Sequence, residues 1–512
     1  MASKVFSGAI VGIDAQIIEI ECDVSFGLKR FEIVGLPDKA VEESKERTAS
    51  AIKSCGFNAP LSKSEKIVIN LAPADLKKEG TLYDLPIALA YLLKTRQIDF
   101  NEQGKFFVGE LSLDGSLRPI KGALSFALKT KRKKFGEIIL PKENAIEASL
   151  SLVASGRENL KIIGVQSLEE TVNYLEGKKE ILPTKTDLNQ FLKKENYEVT
   201  LDWIKGQDYA KRAIIISAAG GHNVLLIGPP GGGKSLLAKA LPSILPPLSH
   251  QEIIELTKIY SSAGLLNQEM PIVSQRPFRP LHHTASRTSI IGGGKPISAG
   301  EITLAHRGIL FMDEFPEFNR DVLEALRQPL EDRRIVINRA NQRLSLPCSF
   351  TLIAAANPCP CGHLNDPFHP CTCTASQINK YKRKLSGPII DRIDISVDLP
   401  PVEFEKLDSP IEDSSTKNIR KSIIKARKIQ LQRFRQSDIY TNSEMSVLEI
   451  KKYCQVDLVA KNLLKEYVNS GKLSARGYHR VLKVARTIAD LEGSPNILIK
   501  HIEEALMYRV KK

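Results

Sequence analysis

Short apolar runs alternate with amphipathic stretches through the first third of the chain. Runs that fit buried or half-buried strands occur at Val5–Val11, Ala15–Ser25, Phe31–Val34, Lys66–Leu71, Phe106–Leu111, Glu137–Leu140 and Lys161–Val165. Apolar positions recur at helical spacing in Ala40–Ser54, Leu85–Leu93 and Ser167–Leu175. Because strands repeat every second residue and helices about every 3.6, this pattern predicts a mixed domain of strands and helices over residues 1–178.

The pattern changes after a charged stretch at 179–200, which we interpret as a linker. Over 201–400 we predict strands at Asn223–Ile227, Ile309–Met312 and Ser349–Asn357, helices at Leu201–Ala219, Gln251–Tyr260 and Asn319–Leu330, and a β-hairpin at Arg334–Pro347. From 401 to 512 the pattern is helical, at Lys417–Arg435, Leu458–Asn469, Ala475–Leu491 and Ile499–Arg509. The chain is therefore predicted to have an α/β fold with a helical C-terminal domain.

Composition narrows the kinds of partner. The 512 residues carry a net charge of +14, with a pI of about 9.2, which favours a polyanionic partner, nucleic acid first. No run of apolar residues is long enough to cross a membrane, and Met1–Val24 has a strand pattern rather than that of a signal peptide. We therefore expect a cytoplasmic protein. Its cysteine content does not suggest a disulfide framework.

One glycine-rich stretch lies between a predicted strand and a predicted helix. It consists of Gly228, Pro229, Pro230, Gly231, Gly232, Gly233, Lys234 and Ser235 and matches G-x-x-x-x-G-K-[ST] at every fixed position. Glycines let backbone N–H groups curl around phosphates, and the following helix adds positive potential at its N-terminus. Lys234 is expected to reach the outer phosphates of ATP, and Ser235 to bind Mg²⁺.

Two further apolar strands end in polar residues. Asp313 and Glu314 follow Ile309–Met312, an arrangement typical of a Walker B element. We expect Asp313 to hold Mg²⁺ and Glu314 to polarise the attacking water. Asn357, at the end of Ser349–Asn357, is a candidate sensor of the γ-phosphate or the water.

Two groups of residues suggest a second metal. Cys359, Cys361, Cys371 and Cys373 form the pattern C-x-C-x₉-C-x-C. Four thiolates in a small loop suit tetrahedral Zn²⁺, although four reduced cysteines without metal are the alternative, and His363 or His369 could substitute as ligands. The adjacent His282 and His283 also invite a metal interpretation. We disfavour it, because consecutive side chains of a strand face opposite ways.

Several long motifs together resemble AAA+ ATPases of the magnesium-chelatase type, in particular the ComM/YifB branch. They are RPFR-x-x-HHT, GEITLAHRGILFMDE, AAANPCPCG and SARGYHRVLKVARTIADL. The resemblance implies an AAA+ core with a parallel sheet and helices on both faces at 201–400, including the Cys₄ loop 359–373, and a helical lid at 401–512. It also implies a hexameric ring that remodels DNA, with insertions near Gly292–Gly300 and Asn338–Gln342 lining its channel.

The same resemblance assigns three arginines. Arg392, in the sequence Asp391-Arg392-Ile393-Asp394, corresponds to an arginine finger offered to a neighbouring subunit. Arg476 corresponds to the sensor-2 arginine of the lid, and Arg480, one turn further along the same face, is the alternative.

The first third resembles the Lon-protease-type domain, on Lys66–Leu93 followed by Gly109–Ile120. Leu82 stands where active members have a serine nucleophile, and Leu124 where they have a lysine. Leucine supplies neither a nucleophile nor a base, so the resemblance implies a non-catalytic scaffold or DNA-contacting module.

Several functions compete. The resemblance, together with the basic charge, implies an ATP-dependent DNA-remodelling motor, and the resemblance alone implies helicase-like branch migration in recombination and natural transformation. A magnesium-chelatase subunit that drives metal insertion into a tetrapyrrole is the main alternative, followed by a protease-related chaperone and by a regulatory module that merely binds ATP. The basic stretch Lys417–Arg435 is either a solvated helix or a phosphate-contacting one.

Overall fold

The N-terminal third folds around a seven-stranded mixed sheet. The computed structural model describes residues 2–133, 135–153, 160–192, 197–294, 298–339, 342–367, 369–385, 389–401, 415–437 and 439–509. The sheet has the order β3-β4-β2-β1-β5-β8-β9. Its strands are β1 Ser3–Val11, β2 Asp14–Phe26, β3 Arg30–Val34, β4 Glu65–Ala72, β5 Lys105–Phe107, β8 Glu137–Pro141 and β9 Lys161–Val165, and a separate ribbon pairs β6 Glu110–Leu111 with β7 Leu117–Arg118.

Helices pack on this sheet as the apolar pattern predicts. They are α1 Lys39–Glu42, α2 Ser44–Ser54, α3 Asp84–Lys94, α4 Ala123–Arg132, α5 Ala145–Val153 and α6 Leu168–Leu175. Helix α3 is buried on all sides from Asp84 to Leu92, so its apolar run has no solvent-facing stripe. Asp84 is nevertheless satisfied, because it accepts two hydrogen bonds from the Arg47 guanidinium, at 2.8 and 3.1 Å.

The second sheet has five parallel strands. Its order is β11-β14-β17-β10-β18, where β10 is Val224–Ile227, β11 Phe278–Leu281, β14 Ile309–Met312, β17 Thr351–Ala356 and β18 Ile395–Asp398. Alternate residues of the strands enter different apolar clusters: Val224 and Leu226 pack in one, and Leu225 in the other. Both faces are therefore covered, as is usual for a parallel sheet, and the carboxyl ends of all five strands meet at one edge.

The helices of this part are α7 Asp208–Gly220, α8 Lys234–Ile244, α9 His250–Ala263, α10 Arg287–Ile291, α11 Glu301–Leu304, α12 Arg320–Ala325, α13 Arg327–Asp332 and α14 Ala375–Lys384. Two predictions of single helices were wrong. Leu201–Ala219 consists of a 3₁₀ turn at Leu201–Trp203 and helix α7, because Gly206 and Gln207 adopt left-handed conformations with φ of 62° and 57°. Asn319–Leu330 is divided into α12 and α13.

The predicted hairpin is confirmed, and it touches the N-terminal part. Strands β15 Arg334–Arg339 and β16 Gln342–Pro347 pair in antiparallel register, while the tip residues 340 and 341 lie outside the described residues. Leu344 packs against Gly12 in the β1–β2 turn, where a Cβ atom would stand 2.5 Å from Leu344 Cδ1. The glycine-rich insertion forms a short ribbon, β12 Gly292–Gly293 with β13 Ser298–Ala299; residues 295–297 are not described.

The C-terminal part is helical. Its helices are α15 Ser415–Arg433, α16 Val447–Tyr453, α17 Leu458–Asn469, α18 Ala475–Glu492 and α19 Ile499–Met507. Helix α18 begins after Ser474, whose side chain accepts a hydrogen bond from Gly477 N, as the predicted Ser cap requires. Asp490 on α18 pairs with Arg433 of α15 at 2.6 Å, which fixes these two helices to each other. Among the described residues, no helix has the length and hydropathy that a membrane crossing requires.

Candidate nucleotide-binding site

The glycine-rich stretch forms an open cradle between β10 and α8. Gly231 and Gly233 have φ of 77° and 85°, which glycine adopts without strain. A Cβ at either position would meet no atom within 4 Å, so the space in front of both is open. Helix α8 begins at Lys234 and directs its N-terminal N–H groups toward this space. The backbone therefore fits a phosphate chain.

Lys234 is turned into the cradle. Its ammonium group donates to Gly228 O at 2.6 Å, to Pro229 O at 2.8 Å and to Asn357 Oδ1 at 3.1 Å. Burial lowers the pKa of Lys234, and the nearby Asp313 carboxylate partly offsets that effect. An anion in the cradle would therefore bind a cation that is already in place. Lys234 and Asn357, which the sequence singles out separately as site residues, are in direct contact.

Ser235 and Asp313 supply hard oxygen ligands. Ser235 Oγ donates to Asp313 Oδ2 at 2.9 Å, although the two residues come from the first turn of α8 and the end of β14. A hydroxyl and a carboxylate, together with phosphate oxygens, are the usual ligands of protein-bound Mg²⁺. The residues present thus fit Mg²⁺ bound to a nucleotide.

The Glu314 carboxylate lies beside a histidine that follows the neighbouring strand β11. Its Oε2 lies 2.8 Å from His283 Nδ1. We expected His282 and His283 to face opposite ways, and this was wrong because β11 ends at Leu281; the two rings lie with centroids 4.2 Å apart. Ligand atoms of His282, His283 and Glu314 all lie within 4.8 Å of one another. The sequence singled out the histidine pair but gave no sign that β11 adjoins β14.

The three arginines have different partners in this chain. Arg392 is 10% exposed, and its guanidinium pairs with Glu331 at 2.5 Å. Arg476 is exposed in the first turn of α18. Arg480 pairs with Asp394 at 3.7 Å. Among the described residues, neither Arg476 nor Arg480 forms a hydrogen bond or ion pair with Gly228–Ser235.

A buried polar network joins the base of β10 to helix α18. His222 is fully buried, with Nε2 at 2.7 Å from Thr487 Oγ1 and Nδ1 at 3.5 Å from Asp394 Oδ2. Burial alone would raise the pKa of Asp394, but the adjacent His222 imidazole and the Arg480 charge hold it well below its ordinary value. The C-terminal helices are thereby tied to the strand that carries the cradle.

The four cysteines lie close together in the loop that follows Asn357. Cys359 Sγ lies 3.4 Å from Cys361 Sγ and 3.7 Å from Cys371 Sγ, and Cys361 Sγ lies 3.6 Å from Cys371 Sγ. Cys373 Sγ accepts a hydrogen bond from Cys361 N at 3.3 Å. Zn–S bonds of about 2.3 Å in a tetrahedron place sulfurs roughly 3.8 Å apart, so these residues fit Zn²⁺. His363 and His369 instead contact Asp366, at 2.9 and 3.3 Å.

These groups lie at one edge of a parallel sheet: the phosphate cradle, the oxygen ligands suited to Mg²⁺ and the acidic residue beside them. Together they define a P-loop ATPase. Family models of the magnesium chelatase subunit ChlI match residues 20–144 and 200–407, and a model of its C-terminal part matches 413–509. Competence protein ComM of Haemophilus influenzae is 40% identical over 99% of this chain and 97% of its own length. YifB of Salmonella typhimurium is 41% identical over 99% and 96%, respectively. The chain belongs to the ComM/YifB family of magnesium-chelatase-like AAA+ proteins, and this family implies ATP hydrolysis.

A more distant similarity covers part of the chain. DNA replication licensing factor Mcm2 of Drosophila melanogaster is 24% identical over 59% of this chain and 32% of its own length.

Proposed function

We propose that this protein is a ring-forming ATPase that remodels DNA, with helicase-like branch migration of recombination intermediates as its activity. The observation that carries the proposal is full-length similarity to a competence protein, in a chain that brings Lys234, Ser235, Asp313 and Asn357 together around the phosphate cradle. The partial similarity to a DNA replication licensing factor, Mcm2, supports the same class of partner.

Several residues of one subunit have distinct roles in ATP hydrolysis. Bound Mg²⁺·ATP supplies the phosphoryl group that is transferred to water. Lys234 neutralises its outer phosphates, while Ser235 and Asp313 hold the metal. Glu314 accepts the proton of the attacking water, and Asn357 orients that water or the γ-phosphate. The contact between Lys234 and Asn357 supports this division, because it places both at the same end of the cradle.

A second subunit completes the site in this proposal. Arg392 acts in trans as the arginine finger of a hexameric ring, after leaving Glu331, and Arg476 is the sensor-2 residue of the lid. The exposure of Arg476 suits a contact with a neighbour. An arginine supplied in trans makes hydrolysis depend on assembly, since it stabilises the charge of the transition state.

The DNA-facing surface includes an exposed lysine stripe on α15. Lys417, Lys421, Lys425 and Lys428 are exposed, recur at helical spacing, and form no ion pair or hydrogen bond with any residue that the structure describes. Arginines of the same helix point inward: Arg420 donates to Leu245 O, Arg427 to Ala218 O and Arg433 to Asp490. The helix is therefore anchored by arginines and presents lysines, which favours the phosphate-contacting interpretation.

The remaining parts are assigned by the same proposal. Residues 1–178 form a Lon-like scaffold without peptidase activity, 179–200 a linker, 201–400 the AAA+ core and 401–512 the lid. Leu124 is buried in α4 and Leu82 packs against the N-terminal core, which suits structural roles. The Cys₄ loop 359–373 holds a structural Zn²⁺. The hairpin β15–β16 and the insertion at 292–300 line the channel and move along DNA.

A chelatase subunit is the second candidate, because the family models carry that description. It differs in its partner, a tetrapyrrole-handling enzyme rather than DNA.

Steady-state ATP hydrolysis with and without DNA separates the candidates. We expect stimulation by forked or four-way DNA, and movement of a labelled four-way junction that requires ATP. Lys234→Ala should abolish both activities. The absence of stimulation by any DNA, together with ATP-dependent activity on a metal–porphyrin system, would favour the chelatase instead.

A further inference from the structure

The loop that carries the four cysteines returns to the phosphate cradle. It begins after β17, at Asn357, and at Gly362 it lies against the ring of Pro230. A Cβ atom at Gly362 would stand 2.6 Å from Pro230 Cδ, so no side chain fits between them. Gly362 has φ of 88°, a left-handed conformation that glycine adopts without strain. The backbone of the cysteine loop is therefore in direct contact with the glycine-rich stretch.

The sulfur atoms just before Gly362 fix this close approach. Cys359 and Cys361 both lie near Cys371 Sγ, with sulfur separations of 3.7 and 3.6 Å. Cys359 is fully buried, and its carbonyl oxygen accepts a hydrogen bond from Gly362 N at 3.0 Å, which closes a tight turn. Four thiolates at this spacing repel one another unless a cation lies between them. The position of Gly362 therefore depends on what the cysteines bind.

The cysteine loop also contacts the cradle by a second route. The chain after Cys373 forms α14, and Tyr381 of this helix is buried with its hydroxyl beside the Asn357 backbone. Asn357 Oδ1 in turn accepts from the Lys234 ammonium group at 3.1 Å. The loop and the helix that follows it thus reach the cradle twice, at Pro230 directly and at Lys234 through Asn357.

We propose that Gly362 is a positioning residue of the nucleotide site, through which the cysteine loop, closed by its metal, holds the phosphate cradle in the geometry that binds ATP. This role rests on the proposed function for the zinc in the loop and the ATP in the cradle, and it requires no DNA. A coupling free energy between two binding sites acts equally in both directions. Zinc therefore tightens nucleotide binding, and nucleotide tightens zinc binding by the same factor.

Equilibrium measurements on the full-length protein test this linkage. Zinc is partitioned between the protein and a chromophoric chelator, with and without a non-hydrolysable ATP analogue. The affinity for a fluorescent ATP analogue is measured with zinc bound, after its removal, and again after its return. We expect each ligand to tighten the other about fivefold or more. Lys234→Ala, which should bind nucleotide weakly, controls for zinc held by the nucleotide itself.

Variants at the contact separate a positioning role from general damage. Gly362→Ala keeps all four cysteines but places a Cβ against Pro230, so zinc should stay at about one per chain while nucleotide affinity falls about fivefold or more. In a Pro230→Ala background the ring is absent, and the same glycine substitution should cost much less affinity. Gly177→Ala is the matched control, because Gly177 is also left-handed, with φ of 75°, and a Cβ there would meet no atom within 4 Å. It should leave both affinities unchanged.

Other outcomes overturn the inference. Equal nucleotide affinity in the zinc-bound and zinc-free parent shows that the loop does not position the cradle, and a parent without zinc removes the metal from the linkage. An equal loss of affinity from Gly362→Ala in the parent and in the Pro230→Ala background shows that backbone strain, not the contact, is responsible. Failure of the proposed function is separately visible: ATP hydrolysis that ignores DNA removes the DNA role, whereas the linkage of zinc and nucleotide is decided without DNA.

Discussion

The Lys234 ammonium group donates to Asn357 Oδ1 at 3.1 Å, and this bond joins the phosphate cradle to the end of the neighbouring strand β17. We expect Asn357→Ala to lower kcat on the order of 100-fold while ATP still binds, because a positioned polar group acts mainly on the transition state. A fluorescent ATP analogue and steady-state hydrolysis measure the two effects. Lys234→Ala is the comparison: it should weaken binding itself. Equal losses of ATP binding in the two variants would contradict separate roles for Asn357 in turnover and Lys234 in binding.

Arg392, which pairs with Glu331 in this chain, is proposed to act on the ATP of a neighbouring subunit, and mixed rings can test this role. Arg392→Ala should keep ATP binding and lose turnover by about 1,000-fold. An equimolar mixture of Arg392→Ala and Lys234→Ala chains should regain activity, since some sites then combine an intact Lys234 with a neighbour's intact Arg392. Each chain alone is the control. No recovery in mixtures that exchange subunits would show that Arg392 does not act in trans.

The number of zinc ions bound per chain tests the assignment of the Cys₄ loop. We expect about one zinc per chain by elemental analysis, because the observed sulfur separations suit tetrahedral coordination. Cys371→Ser with Cys373→Ser should remove it and lower the melting temperature. Cys55→Ser, outside the loop, should retain the metal, and so should His363→Ala, whose ring contacts Asp366. Metal-free parent protein purified without chelators would refute the site.

The lysine stripe predicts a particular salt dependence. Replacing Lys417, Lys421, Lys425 and Lys428 by Gln should weaken DNA binding uniformly across sequences. It should also reduce the slope of log K against log salt by up to about 3.6, at roughly 0.9 per lost phosphate contact. A matched variant with four other exposed lysines replaced, Lys451, Lys452, Lys461 and Lys465, should change the slope little. Equal slopes for the two variants would rule out a specific role for α15.

Glu147 makes the docking of the N-terminal part on α9 sensitive to pH. Burial raises its pKa to about 7, although hydrogen bonds from Ser261, Leu124 and Asn144 oppose that rise. The folded state therefore holds a proton that the unfolded chain releases above its ordinary pKa, so this group's contribution to stability falls as pH rises toward 7 and is constant above it. Glu147→Gln should be increasingly stabilised relative to the parent between pH 5 and 8, by about 3 kcal/mol at most. Parallel melting curves across this range would contradict the prediction.

The sequence was sufficient to predict features that depend only on residues close together in the chain. The strand–turn–helix arrangement around Gly228–Ser235, the strand before Asp313 and the paired strands of the hairpin at 334–347 follow from local periodicity and turn chemistry, and they are confirmed. The break before α7 was missed because a left-handed non-glycine residue such as Gln207 has only a weak sequence signal. The division between α12 and α13 at Leu326, whose backbone is right-handed helical, has no local sequence signal that we can name.

Contacts between distant segments were not predictable in the same way. The pairing of His283 with Glu314 depends on β11 lying beside β14, and the pairing of Arg392 with Glu331 depends on how α13 packs. Neither neighbour relation is encoded in a short pattern. The roles of Arg392 and Arg476, the lid and the Lon-like scaffold stay predictions that rest on resemblance.

The fit between Gly12 and Leu344 bears on how members of this family can be recombined. A first third taken from a relative would have to bring a glycine at the same turn, or the hairpin would have to bring a smaller residue than leucine, for the two to close. The N-terminal part is thus not a freely interchangeable module. It and the hairpin are mutually constrained, so we expect a chimaeric chain to behave well only when both are exchanged together.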